Sequence, residues 1–232
     1  MMTSAEAMQS GRHSESQQAH ALVKRGDFFF YVGCLVCGTW IFGLVGAPMV
    51  LYGVYLLRKA QLQGAAIRPW SVTVVGGLIL VDASVNYLAW GLDLLPSHYS
   101  LIARSLWIDY GMLGDGGYAL HYNSTATGGV AVPAEKAIQI ATIVLVMPIR
   151  AAAAWGLLHM KRWGLQWSII GNWLYFCLWI IYSAAMALQF DLRFGTSEFG
   201  VIGFWLMGGI PFLGPVVLLP YLHSVNRELW SD

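Results

Sequence analysis

Polar and apolar positions are sharply segregated along this chain. Residues 1–26 are rich in Ser, Gln, His and Ala and hold no apolar run, whereas long hydrophobic blocks dominate from position 28 onward. The polar opening reads as a disordered tail, because it carries too little apolar surface to offset the entropy of ordering it. The blocks fall at 28–57, 70–95, 137–160, 165–190 and 199–222. A helix of roughly 20 residues crosses a hydrocarbon layer of roughly 30 Å, and the last four blocks meet that length. Trp70, Trp90, Trp163, Trp167 and Tyr221 stand near their ends, where amphipathic rings favour the membrane–water boundary.

The expected fold is therefore an all-α integral membrane protein. Four transmembrane helices and the long first block form a bundle over 27–223, with an external loop at 96–136 and a short cytoplasmic tail at 224–232. A cleavable signal peptide is not expected, since its hydrophobic region is short and the first block here is not.

That first block admits two readings. As one helix it is about 45 Å long, so it crosses as a fifth, strongly tilted span. Gly46-Ala47-Pro48 instead offers an interruption, because proline removes a backbone donor and bends helices. The block then re-enters as two half-helices. A single crossing places Arg12, Lys24, Arg25, Arg104, Lys136 and Arg193 opposite Arg58, Lys59, Arg68, Lys161, Arg162 and Arg227, an even split that sets no orientation. A return to the starting side leaves only Arg104, Lys136 and Arg193 outside, which suits the positive-inside tendency. Against it, half-helices of about 15 residues are too short to span. The C-terminus is cytoplasmic in both readings.

Composition agrees with a lipid solvent. The chain is 57% hydrophobic and 11% charged, against about 25% charged in soluble domains. So few charges do not cover a water-facing surface of this size. A net charge of +1 gives no footprint for nucleic acid. No G-x-x-x-x-G-K-[ST] occurs, so a nucleotide is not an expected partner, and no G-x-S-x-G supports a hydrolase nucleophile. No cofactor is implied. Cys34, Cys37 and Cys177 lie in apolar blocks and read as small buried packing residues, not a disulfide framework.

Charges inside the blocks are the most informative residues. Asp82 lies near the middle of 70–95, where an ionisable group costs roughly 2.5–3.5 kcal/mol on insertion scales and so faces protein or water. Asn86 and Asp93 follow on the same helix face, at i+4 and about three turns on. Arg150 lies deep in 137–160, just after Pro148 and before Ala151–Ala154. An Asp82–Arg150 pair is expected, with Asn86 sharing the guanidinium donors and the alanines admitting a neighbouring helix. The cluster is either a structural pair that fixes helix register or a ligand or proton site.

In the external loop, His98, Asp109, Asp115 and His121 are candidates for a surface site. Metal motifs place some ligands at short spacing, and none does so here, so no metal is expected. The last block carries Gly208-Gly209, Pro211, Gly214, Pro215 and Pro220 and is expected to be kinked. Gly43 with Ala47, and Ser183 with Ala187, are small-x-x-x-small pairs suited to helix contact. With no catalytic constellation and no repeat, the favoured function is a non-catalytic membrane subunit that stabilises or regulates a larger envelope complex. Its partners are membrane lipids and other membrane subunits, and the complex is one that moves lipid or another hydrophobic substrate. The alternatives are a small carrier with a polar site at Asp82, Asn86 and Arg150, or a membrane enzyme acting on a lipid.

Overall fold

A computed structural model describes residues 4–38, 43–93, 137–138, 140–194 and 213–231, and these are helical with short connections. Helix α1 runs over Ser4–Cys37, α2 over Gly43–Leu62 and α3 over Trp70–Asp93. A π-helical turn at Thr142–Val146 leads into α4 at Met147–Leu158. Helix α5 covers Arg162–Phe194 and α6 covers Leu213–Ser224.

The first hydrophobic block is broken into two antiparallel helices. Gly26 lies against Gly53 and Leu57, Gly33 against Met49 and Val50, and Gly46 against Cys37. A methyl group on Gly53 would sit 2.6 Å from the Phe30 backbone nitrogen, and one on Gly46 2.5 Å from that of Cys37. Only backbone without a side chain allows such an approach. The small residues recur every seven positions on both helices: Ala19, Gly26 and Gly33 on α1, with Gly46, Gly53 and Ala60 on α2. All six are buried, since a seven-residue repeat keeps one seam facing its partner.

This seam accounts for two departures from expectation. Residues 4–26 are the opening turns of α1, not a disordered tail, and by Ala19 the helix is packed, that residue being 3% exposed. Composition points to disorder because the seam uses glycine and alanine, which bring backbones together while adding little hydrophobicity. The pair Gly43 and Ala47 does not form the contact, for Ala47 is exposed. Ser183 and Ala187 lie where side chains are outside the described parts.

The remaining helices pack alternately up and down. Gly76 of α3 faces Leu158 near the end of α4, and Gly156 faces Gly164 across the α4–α5 turn. That turn closes with Met160 at φ 53° and the Lys161 N–H donating to the Gly156 carbonyl at 2.9 Å, the left-handed helix ending usually taken by glycine. The C-terminal segment is not a free tail. Ser231 N–H donates to the Met160 carbonyl at 3.0 Å, Arg162 N–H donates to Ser231 at 2.8 Å, and Trp230 is buried in the main core with Val72, Leu165 and Leu222.

Pro148 explains the π turn. Its ring clashes with the carbonyl four residues back and it lacks an N–H. Widening the preceding turn relieves this, and Met147 N–H bonds Thr142, five residues back. Such an insertion rotates the helix beyond it, here the face carrying Arg150.

Among the described residues, Trp70–Leu88 is long and apolar enough to cross a membrane, and Thr142–Leu158 is a shorter apolar helix. The outward surface is rich in large apolar side chains, including Leu44 at 86% and Val144 at 71% exposure.

Gly53→Ala is expected to destabilise the chain by about 1–3 kcal/mol through overpacking. Gly43→Ala, whose methyl group would meet, among the described residues, only Cys37 oxygen at 3.6 Å, should be tolerated. Thermal melting of both variants in detergent checks this, and equal melting would remove the close seam as a stabilising feature.

Candidate functional site

Helix α3 sets Asp82 and Asn86 one turn apart on its inner face, and α4 points Arg150 toward them. The Arg150 side chain is fully buried and its Nη2 lies 2.5 Å from Asp82 Oδ2. The same Nη2 donates to Asn172 Oδ1 at 3.0 Å, and Asn172 is held by its own amide donating to the Ser168 carbonyl at 2.7 Å. The guanidinium lies over the Tyr175 ring, 4.6 Å from its centre. Tyr175 then donates its hydroxyl to Asn86 Oδ1 at 2.6 Å, and Asn86 donates its amide to Asp82 Oδ1 at 2.9 Å and to the Asp82 carbonyl at 2.8 Å. Arg150, Asp82, Asn86 and Tyr175 thus form a closed ring of contacts across α3, α4 and α5.

The ring has a physical logic. An arginine does not shed its proton in a protein, so burying one requires a counter-ion and further partners. Asp82 supplies the charge, Asn172 a neutral acceptor, and the Tyr175 face a cation–π contact of about 2 kcal/mol when desolvated. Close neighbours complete the enclosure. A methyl group on Gly171 would stand 3.0 Å from Arg150 Cγ, and one on Gly214 of α6 would stand 3.5 Å from the Asp82 carboxyl.

The network has an open side. Asp82 is 20% exposed at its side chain, and its Oδ2 meets Arg150 by charge contact without hydrogen-bond geometry. Arg150 Nε and Ser168 Oγ are buried without hydrogen-bond partners among the described residues. A cleft of about 210 Å³ adjoins the ring at Ala83 and Met147 and is further lined by Leu35, Ser84, Tyr87 and Pro148.

Asp82 and Arg150 therefore meet as their depth in the sequence implies, with Asn86 beside them. Asn86 binds the carboxylate, however, and not the guanidinium; Asn172 takes that place. Asp93 ends α3, and its side chain is outside the described parts. His98, Asp109, Asp115 and His121 lie outside the described residues altogether. Among the described residues no three His, Cys, Asp or Glu side chains gather as a metal site. Cys34 and Cys37 are free thiols on α1, Cys37 against Gly46 of α2 and Cys34 facing Gly77 of α3.

A second ion pair was not anticipated from the sequence. Arg68, in the α2–α3 connection, pairs with Asp27 of α1 while its side chain is only 5% exposed. It also donates to the Leu158 carbonyl at 3.1 Å and to Thr73 Oγ1 at 3.0 Å, and it lies 5.8 Å from the centre of the Phe30 ring. The available signal was two opposite charges, each beside a hydrophobic block. No protein-family model, curated protein or solved structure matches the chain.

Replacing either partner of the deep pair should have unequal effects. Asp82→Asn strands a fully buried permanent cation and is expected to cost about 3–5 kcal/mol. Arg150→Gln leaves a carboxylate whose side chain is 20% exposed and which still accepts from Asn86, so its cost should be smaller, and the double variant should recover part of the loss. Melting of the three variants in one detergent checks this; additive effects would mean the two charges do not interact. Tyr175→Phe should cost about 1–3 kcal/mol by leaving Asn86 Oδ1 without its donor.

Proposed function

We propose that this chain is a multispan integral membrane protein and a non-catalytic subunit that stabilises or regulates a larger envelope complex, such as one moving lipid or another hydrophobic substrate. In this reading α3, the stretch ending in α4, α5 and the stretch ending in α6 cross the bilayer. The α1–α2 hairpin re-enters from the cytoplasmic side, where the C-terminus also lies.

The depth of the hairpin supports the re-entrant arrangement. Ser84 donates its hydroxyl to the Leu35 carbonyl at 2.5 Å, and a methyl group on Gly38 would collide with Ser84. Ser84 is about 14 residues beyond Trp70, or about 21 Å along a helix. The end of α1 therefore lies about two thirds of the way through a hydrocarbon layer of roughly 30 Å. The outward apolar side chains suit lipid as the surrounding solvent.

The observation that carries the subunit reading is the closed ring around Arg150. Asp82 and Arg150 are bound to one another, with Asn86 on the carboxylate and Asn172 and the Tyr175 ring on the guanidinium. Of the guanidinium nitrogens, Nε has no hydrogen-bond partner among the described residues. A carrier or proton path needs such groups to change partners, whereas a structural pair that fixes three helices does not. One observation favours the carrier as a second reading: the apolar cleft lined by Ala83 and Met147, which neighbour Asp82 and Arg150 without either charge lining it. The residues of a lipid-directed enzyme, His98, Asp109, Asp115 and His121, lie outside the described residues.

Purification in gentle detergent followed by mass spectrometry discriminates these readings. Partner proteins at fixed stoichiometry are expected; a lone chain retaining a small molecule would favour the carrier. Single cysteines at Lys24, Lys59 and Arg162, in a background without native cysteines, should all be labelled from one side of the membrane. Labelling of positions 24 and 59 from opposite sides would restore the single-crossing reading.

A further inference from the structure

We infer that the root of the α1–α2 hairpin is a contact surface for anionic lipid, at which Lys24, Arg25, Arg58 and Lys59 meet the phosphates of the cytoplasmic headgroup layer. All four side chains are exposed. The antiparallel packing brings them together. Gly26 lies against Gly53 and Leu57, so Lys24 and Arg25 of α1 stand near the level of Arg58 and Lys59 of α2.

Little acidic charge is at hand to offset these cations. Between Glu15 and Asp82 the chain holds a single acidic residue, Asp27, and Asp27 is already paired with Arg68. Arg58 donates to Gln61 Oε1 at 2.7 Å, a neutral partner that leaves its charge in place. Glu228 belongs to the C-terminal turn, whose backbone bonds run to Met160 and Arg162. The Glu15 side chain and Asp232 are outside the described parts; Glu15 precedes Lys24 by nine residues, or about 14 Å along the helix.

The face below the cations makes their partner a lipid. Phe28 and Phe29 follow Arg25, and Tyr52 and Tyr55 precede Arg58. Phe28 meets Phe29 edge-on at 5.7 Å, Phe29 meets Tyr52 at 5.0 Å, and Tyr52 stacks toward Tyr55 at 6.4 Å. One aromatic band therefore crosses both helices. Phe28 is 57% and Tyr55 58% exposed, and further along α2 the exposed residues are Leu51 and Leu44. The outer face thus passes from leucine through aromatic rings to cations. A helix follows this order from acyl chains through the interface to headgroups, and basic residues there attract anionic lipid. An acidic protein segment would also pair with the cations, but nothing in its chemistry calls for the gradient beneath them.

This inference rests on the membrane reading, and the test separates the two. The full chain is reconstituted in nanodiscs of equal phosphatidylglycerol and phosphatidylcholine, released into mild detergent, and the retained lipid is measured by native mass spectrometry. Enrichment of phosphatidylglycerol is expected. Lys24→Gln/Arg25→Gln and Arg58→Gln/Lys59→Gln should each lower it at least about fivefold, with unchanged melting. Arg227→Gln, which removes an exposed cation of the C-terminal turn, should leave it nearly unaltered. Equal retention of the two lipids, or enrichment unaltered in both hairpin variants, overturns the inference. So does an equal loss in Arg227→Gln, which would make the preference one of overall charge. Absence of lipid preference, together with loss of a co-purifying protein in the hairpin variants, gives the cations to an acidic protein segment instead. Failure of the chain to enter nanodiscs at all defeats the membrane reading on which this one stands.

Discussion

A guanidinium that keeps its proton at any accessible pH and is nonetheless fully shielded, as Arg150 is, constrains everything around it. It needs a carboxylate on one neighbouring helix and a neutral acceptor on another, with no gap between them that lets the charge stand alone. Asp82 fixes the rotation of α3 about its axis, and Asn172 with Tyr175 fixes that of α5. The glycine at position 171 lets α5 come close enough to the arginine stem. The π turn before Pro148 determines which way α4 presents the side chain. A shift of one residue in any of these helices moves a partner by about 100° around its axis, so the register of three helices is set at one point.

The second pair works at a different level. Arg68 binds Asp27 and the Leu158 carbonyl, joining the root of the first hairpin to the end of α4. The deep ring does not reach α1 or α2; the hairpin is instead held by this pair at its root and by the Ser84 contact at its tip. Between these ends Tyr31 donates its hydroxyl to the Ala151 carbonyl at 3.3 Å and Phe30 and Cys34 pack into the main core, while within the hairpin the glycine seam lets close backbones gain dispersion contacts. The bundle therefore combines polar fasteners with apolar seams, and a loosened seam displaces the hairpin without unmaking the ring around Arg150.

Much of this was legible in the sequence wherever a rule has few exceptions. A carboxylate and a guanidinium deep in apolar blocks have few alternatives to each other, so Asp82 and Arg150 could be matched without coordinates. Asn172 and Tyr175 could not, because neutral polar residues are common in such helices and their partners depend on the mutual rotation of α4 and α5. The first block was ambiguous for a related reason. Pro48 lies inside α2 and the break falls between Cys37 and Gly43, not at Gly46-Ala47-Pro48; the seven-residue recurrence of Ala19, Gly26 and Gly33 against Gly46, Gly53 and Ala60 decides that the halves lie together. That recurrence begins inside the stretch whose polarity suggested disorder. Trp230 was likewise hidden, since a single aromatic in a short polar end carries no periodicity.

Because the deep charges are already matched internally, recognition on the outward surface depends on other features. The first hairpin presents aromatic side chains there: Phe29 meets Tyr52 edge-on, with ring centres 5.0 Å apart, and Tyr52 stacks toward Tyr55 at 6.4 Å. Tyr52 and Tyr55 are exposed, as are Leu44 and Leu51 on the same helix. Tyrosine joins an apolar body to a hydroxyl that still seeks a partner, so this face suits both acyl chains and another helix. Within a bilayer, apolar contact alone distinguishes poorly between lipid and protein; close fit and hydrogen bonding supply the difference. On the reading proposed above, the exposed Tyr52 and Tyr55 and the shape of the hairpin would do the selecting, while the Arg150 ring joins α3, α4 and α5.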